Sequence, residues 1–289
     1  MKKLIIEVRM NEAAKKAANA HVAYTPGEIV ADALACAEAG ASAVHFHARS
    51  ADGSESNRIE DYREILAGVR SRSSVVVHPT LGLFHGAGPD QRLAHIRDLS
   101  ENSNLKPDIA PLDMGSNNVD AWDPERAEFP REGFVYANTT ADLRVMARRL
   151  KDWGVKPQLA IWNVANARLM GAFIDAGLIP EPAWALLFLS GEGFLSGHPA
   201  TSAGLRAFVE NLPKRRIEWT VLSHEASLLP LVPEIVGAGG HVSIGLGDYG
   251  YPELGRPSNA ELVRRVVEIA RTMGREVATP EEAREMLAA

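Results

Sequence analysis

Residues 25–47, TPGEIVADALACAEAGASAVHFH, contain one complete helix pattern followed by one complete strand pattern. Thr25 is placed to cap the helix, Pro26 suits its first turn, Glu28 stands three residues after the cap, and Gly40 follows the last helical position. The apolar run that comes next carries His45 and His47 at alternate positions. A capped helix leading into a short aliphatic strand is the half-unit of a parallel β/α fold.

The same alternation extends almost from end to end. Strand patterns occur at KLIIEVR, SAVHFH, SVVVH, DIAPLD, GFVYAN, KPQLAIW, AWALLFLS, IEWTVLS and HVSIGLG. The stretch MGSNNVDAWDPERAEFPREG, before GFVYAN, is too rich in Gly, Asn and Pro for a crossover helix, so GFVYAN reads as a hairpin-like excursion. Setting it aside leaves a strand set that predicts an α/β fold, a TIM (β/α)8 barrel, as one domain over residues 1–289. The length agrees, since such barrels typically take about 250 residues. Further helices are expected from TPEEAREML, capped by Thr279, and from PSNAELVRRVVEIARTMG, capped by Ser258 or Asn259.

Composition excludes several classes. A net charge of -6 argues against phosphate-driven nucleic-acid binding. No run reaches the roughly 18 apolar residues of a membrane span. The start MKKLIIEVRMNE is cut by Glu7 and Arg9 and reads as a first strand, not a signal peptide, and Cys36 stands alone. A cytoplasmic setting is the expectation.

In a parallel barrel, chemistry collects at the carboxyl ends of the strands. Here those ends offer Glu7, Arg9, Asn11 and Glu12, then His45, His47 and Arg49, then His78 and Thr80, and later Asp113, Asn163, Ser190, His224, Glu225 and Asp248. Strand periodicity aims His45 and His47 to one side, as a divalent metal site requires. Two hydrogen-bonded barrel histidines without a metal would give the same spacing. Asp248, in GLGDYGYPELG, is either an acidic site residue or turn chemistry.

The stretch TPGEIVADALACAEAGASAVHFHARSADG, the Gly115–Ser116 pair and the long C-terminal run from GAGGHVSIGLGD to EEAREML resemble the β-keto acid cleavage enzymes. The similarity covers nearly the whole chain. It implies a TIM barrel, a divalent metal, usually zinc, held partly by His45 and His47, acetyl-CoA as co-substrate, and an oligomer of identical chains. The implied reaction moves the carboxymethyl end of a β-keto acid onto the acetyl group, giving acetoacetate and a new CoA ester. By position, Asp248 matches the family's acidic residue after strand eight, Glu12 a glutamate after strand one, and Thr80 and Ser116 its small hydroxyl residues.

Three departures qualify the match. The family arginine on strand eight is Ser243 here, its metal-binding glutamate is Gly247, and an acidic residue on strand five is Ala160. Glu7 and Arg9 share a face of the neighbouring first strand, so Glu7 is expected as the third metal ligand and Arg9 as the missing guanidinium, with His78, His224 and Glu12 in reserve. Asp248, Arg9, Thr80 and Glu12 are thus the catalytic candidates, and Ser116 and Asn11 the cofactor-binding ones. Trp162, Tyr249 and Tyr251 either line the substrate pocket or pack. Another metal-dependent barrel lyase, such as an aldolase, or a non-catalytic barrel binding a small acid, are the competing functions.

Overall fold

The structure is a computed structural model that describes residues 2–81 and 87–289. Its strands are β1 (Ile6–Arg9), β2 (Ala43–Phe46), β3 (Val76–Pro79), β4 (Ile109–Asp113), β5 (Asn117–Asn118), β6 (Ala121–Asp123), β7 (Glu128–Arg131), β8 (Val135–Tyr136), β9 (Lys156–Ile161), β10 (Ala183–Ser190), β11 (His198–Pro199), β12 (Ile217–His224) and β13 (His241–Ile244). The wall runs in the order β3-β2-β1-β13-β12-β10-β9-β4, every neighbour parallel, with β11 added beside β10. Helices fill the connections. This is the expected TIM barrel.

The seam between β3 and β4 is closed in an unusual way. The Asp108 N–H donates to the Val77 carbonyl at 3.2 Å, and the Asp108 carboxylate accepts from the Val77 N–H at 2.8 Å. A side chain therefore takes the place of a ladder acceptor. Arg284, on the C-terminal helix Pro280–Leu287, donates to the same carboxylate from Nε at 2.9 Å, and Arg70 reaches it at 3.2 Å.

Strand periodicity sorts the side chains. Val8, Val44, Phe46 and Val77 face outward into the main core, under helices such as Pro26–Ala39. The inner face is layered. Ile5, Ala43, Val76, Ile109 and Trp184 pack with Ala283 and Leu287 of the last helix and close the amino end. Above them Glu7, His78, Gln158 and Ser243 form a buried polar layer. The carboxyl end opens into a cavity.

Helix ends follow the sequence signals. Thr25, Ser258 and Thr279 each complete a reciprocal capping box, with Glu28, Glu261 and Glu282. Each such cap contributes about 1 kcal/mol. Gly40 ends its helix at φ 110°, in the left-handed region that favours glycine.

The excursion after β4 is more ordered than its composition suggests. The expected GFVYAN element is β8, paired antiparallel with β5, and a second antiparallel pair, β6 with β7, lies inside the segment read as irregular.

Candidate active site

A cavity of about 320 Å³ opens at the carboxyl ends of the strands, with Arg9, Glu12, His45, His47, Thr80, His224 and Asp248 along one side. Register explains the first arrivals. Arg9 pairs with His45 across β1 and β2, and His45 with His78 across β2 and β3, so Arg9 and His45 project inward at one level. His47 lies just past β2, where its N–H and C=O are both held by the Asn11 side chain at 2.9 Å.

Glu12 brings the histidines together. Its carboxylate lies 3.1 Å from His45 Nε2 and 2.5 Å from His47 Nε2. The potential ligand atoms of Glu12, His45 and His47 all fall within 4.8 Å of one another, the one such acid-and-histidine group among the described residues. On its far side, His47 Nδ1 meets Glu55 at 3.3 Å. A carboxylate on the outer nitrogen is the arrangement that orients a metal-ligating imidazole. His45 Nδ1 is buried and without a hydrogen-bond partner. Burial pushes His45 down to about 3. Burial also opposes charge on His47, but the carboxylates of Glu12 and Glu55 outweigh it and lift that group to about 9.

Glu12 occupies space that Gly247 leaves open. A Cβ at position 247 would stand 2.4 Å from Glu12 Cγ, so this pose of Glu12 requires glycine there. The Glu12 backbone sits at φ 30°, which costs a non-glycine residue energy that its surroundings must offset. Burial would raise its carboxyl, yet Arg9 and the two histidines hold it well below the usual carboxylate range.

The expected third ligand, Glu7, is elsewhere. Its carboxylate is wholly buried one layer deeper and is held by His78 Nδ1 at 2.9 Å, by Gln158 Nε2 at 2.9 and 3.0 Å, and by the Ser243 hydroxyl at 2.7 Å. Burial alone would raise Glu7, but the His78 bond and the neighbouring charges bring it down to about 2. Its acceptor capacity is spent on this layer, which corrects the expectation: the carboxylate near the histidines is Glu12.

Arg9 does reach the cavity. Its guanidinium lies 2.9 Å from Glu12 Oε1 through Nη2 and 3.1 Å from Asp248 Oδ2 through Nε, while Ser243 turns to Glu7. Burial pushes the Asp248 carboxyl up against the pull of Arg9. Thr80 lines the cavity, and its carbonyl faces His95 Nε2 at 2.7 Å.

The cofactor-binding candidates fare differently. Asn11 is fully buried, its amide occupied by His47 and by the Ala23 carbonyl, so it positions His47 instead of facing a ligand. Ser116 is exposed outside the cavity wall and accepts from the Asn138 N–H at 2.8 Å. Arg49 clamps loops through the carbonyls of Ala14 and Gly53 and stacks over Tyr24.

The opposite wall is apolar and largely aromatic. Trp162 stacks on Phe188 at 4.3 Å between ring centres, with Ala160, Leu186 and Leu222 beside them and Phe194 at 5.7 Å from both rings. Trp162 thus lines the pocket, whereas Tyr249 and Tyr251 pack on each other outside it. Asp113, expected at the fourth strand's end but given no role, is a wall residue: its carboxylate accepts from Trp162 Nε1 and from the Tyr136 hydroxyl, each at 2.8 Å. Its place at the end of β4 was the available signal.

A parallel β/α barrel with acids, imidazoles and a guanidinium converging at its carboxyl-end cavity is a TIM-barrel enzyme. The chain belongs to the β-keto acid cleavage enzyme family, whose model matches residues 3–288. It is 30% identical over 291 residues to 3-keto-5-aminohexanoate cleavage enzyme of Acetoanaerobium sticklandii, covering 99% of this chain and 98% of that one. It is also 30% identical to 3-dehydrocarnitine:acetyl-CoA trimethylamine transferase of Rhizobium meliloti, covering 93% and 90%. Among solved structures, the apo structure of ObcA superposes with a TM-score of 0.73 at 16% identity, over 93% of this chain and 65% of that one, a likeness of fold.

Proposed function

We propose that this enzyme transfers the carboxymethyl end of a β-keto acid to acetyl-CoA, yielding acetoacetate and a new CoA ester, with a divalent ion held by Glu12, His45 and His47. The observation that carries the reading is the convergence of those three side chains, with Arg9 and Asp248, in one cavity of a chain that belongs to this family. The relatives named for cleavage of a keto acid or for transfer with acetyl-CoA support the general reaction.

Two imidazole nitrogens and one carboxylate suit Zn²⁺ and leave a position for substrate. When bound, such an ion supplies Lewis acidity toward the keto and carboxylate oxygens. The chain's own groups do the rest. Arg9 places a fixed positive charge beside the same cavity, where it stabilises negative charge developing on the substrate. Asp248, held by Arg9, serves proton transfer or orients the group that performs it. The wall of Trp162, Phe188, Leu186 and Leu222 excludes water and receives the substituent of the β-keto acid or the thioester arm.

The test is to incubate the protein with a panel of β-keto acids, with and without acetyl-CoA. Acetoacetate is expected only when acetyl-CoA is present. Loss of β-keto acid at the same rate without it would instead identify a lyase.

A further inference from the structure

Among the described residues His224 is the cavity's remaining imidazole, and neither the ligand group nor the polar layer uses it. It ends β12, opposite Ser190 of β10. The backbone around it is pinned: the Gly191 N–H donates to the His224 carbonyl at 2.7 Å, and the Glu225 N–H donates to the Asp248 carbonyl at 2.9 Å. Glu225 adopts φ 59°, and a Cβ at position 191 would lie 2.5 Å from its carbonyl oxygen, so the approach of these strand ends depends on Gly191. The effect is to set the His224 ring beside Asp248 at the cavity wall.

His224 Nδ1 lies 3.7 Å from Asp248 Oδ1, within ion-pair reach and longer than a hydrogen bond. Such pairs are often long before substrate closes a site. Phe194 and Phe188 flank the ring at 4.9 and 5.8 Å between centres. Its side chain is 27% exposed, against 6% for Asp248, whose other oxygen is engaged by Arg9. Asp248 is buried and engaged by Arg9, whereas the more open imidazole, backed by that carboxylate, can reach a bound substrate.

We infer that His224 is the proton carrier of the reaction and that Asp248 is its positioning residue. The inference rests on the function proposed above. The C2–H bond of the β-keto acid breaks, leaving its electron pair as an enolate and passing the proton to His224 Nε2, the nitrogen away from Asp248. The enolate carbon bonds to the acetyl carbonyl carbon and the thioester C–S bond breaks, releasing CoA thiolate. The thiolate adds to the original keto carbon, the C2–C3 bond breaks to give the new CoA ester, and the acetoacetate carbanion so released takes the proton back from the imidazolium. No other oxidant, reductant or acid is needed. The charged groups facing the ring are Asp248, Glu225 at 3.9 Å and, farther off, Glu12, while β10 and its loop present Phe188 and Phe194. Burial disfavours the imidazolium, but Asp248 outweighs it and raises the group above its usual value.

The experiment follows exchange of the C2 hydrogens of a cleaved β-keto acid in D₂O by NMR, beside acetoacetate formation. Loss of a general base typically costs 10²–10⁴-fold, so His224→Gln should slow both by at least about 100-fold with KM within about 3-fold. The neutral imidazole is the active form, so kcat/KM should rise with pH through its pKa. Asp248→Asn removes what raises that pKa, and the acid limb should move to lower pH. Wild-type turnover with His224→Gln exchanging within 3-fold of it, or showing the same acid limb, would overturn the assignment alone. Absence of acetoacetate from the wild type with every β-keto acid would overturn the underlying function and this inference with it.

Discussion

Glu12 and Gly247 are complementary. Glu12 is the carboxylate that reaches both histidines, and glycine stands at 247, where a side chain would collide with it. Gly247→Ala should therefore displace Glu12 and lower zinc affinity by about 10–100-fold, the range seen when a ligand's support is lost. Competition with a chromogenic chelator measures it. Placing a carboxylate at 247 instead, in Glu12→Ala/Gly247→Glu, should recover affinity relative to Glu12→Ala. Zinc binding by Gly247→Ala equal to that of the wild type would contradict this complementarity. Sequence alone could show that a glutamate was missing at 247, but parity could not decide between Glu7 and Glu12. Glu7 shares a face with Arg9 yet lies two residues deeper, about 7 Å at the rise of a strand, whereas Glu12 is past the strand, where periodicity no longer applies.

Among the elements, those with strong local signals were legible and those built by tertiary contacts were not. The capped helices at Thr25, Ser258 and Thr279 and the barrel strands follow from spacing and end residues. The β6–β7 pair did not, because the Gly, Asn and Pro around it suit tight turns as well as coil. Nor did the barrel seam, where one carboxylate replaces a backbone acceptor and gathers two arginines. Hydrogen bonds to charged groups contribute about 1.5–3 kcal/mol each, and Asp108→Ala would also leave the Val77 N–H buried without its acceptor. The variant should lose roughly 3 kcal/mol of stability in urea unfolding, by that same measure. A loss under about 1 kcal/mol would show that the seam is held by packing instead.

For the whole molecule, the barrel's layering assigns work along its axis. The last helix and an apolar plug close the amino end, a polar layer around Glu7 supports the middle, and the chemistry sits at the carboxyl end. No helix among the described residues is long and apolar enough to cross a membrane. In the proposed transfer the acetyl group of acetyl-CoA becomes the acetyl end of acetoacetate while the β-keto acid donates its carboxymethyl end. Acetyl-CoA carrying ¹³C in the acetyl methyl, turned over with an unlabelled β-keto acid, tests it most directly by NMR. Label is expected in the C4 methyl of acetoacetate and none in the new CoA ester; label at C2 of acetoacetate or in the ester's acyl group would rule this transfer out.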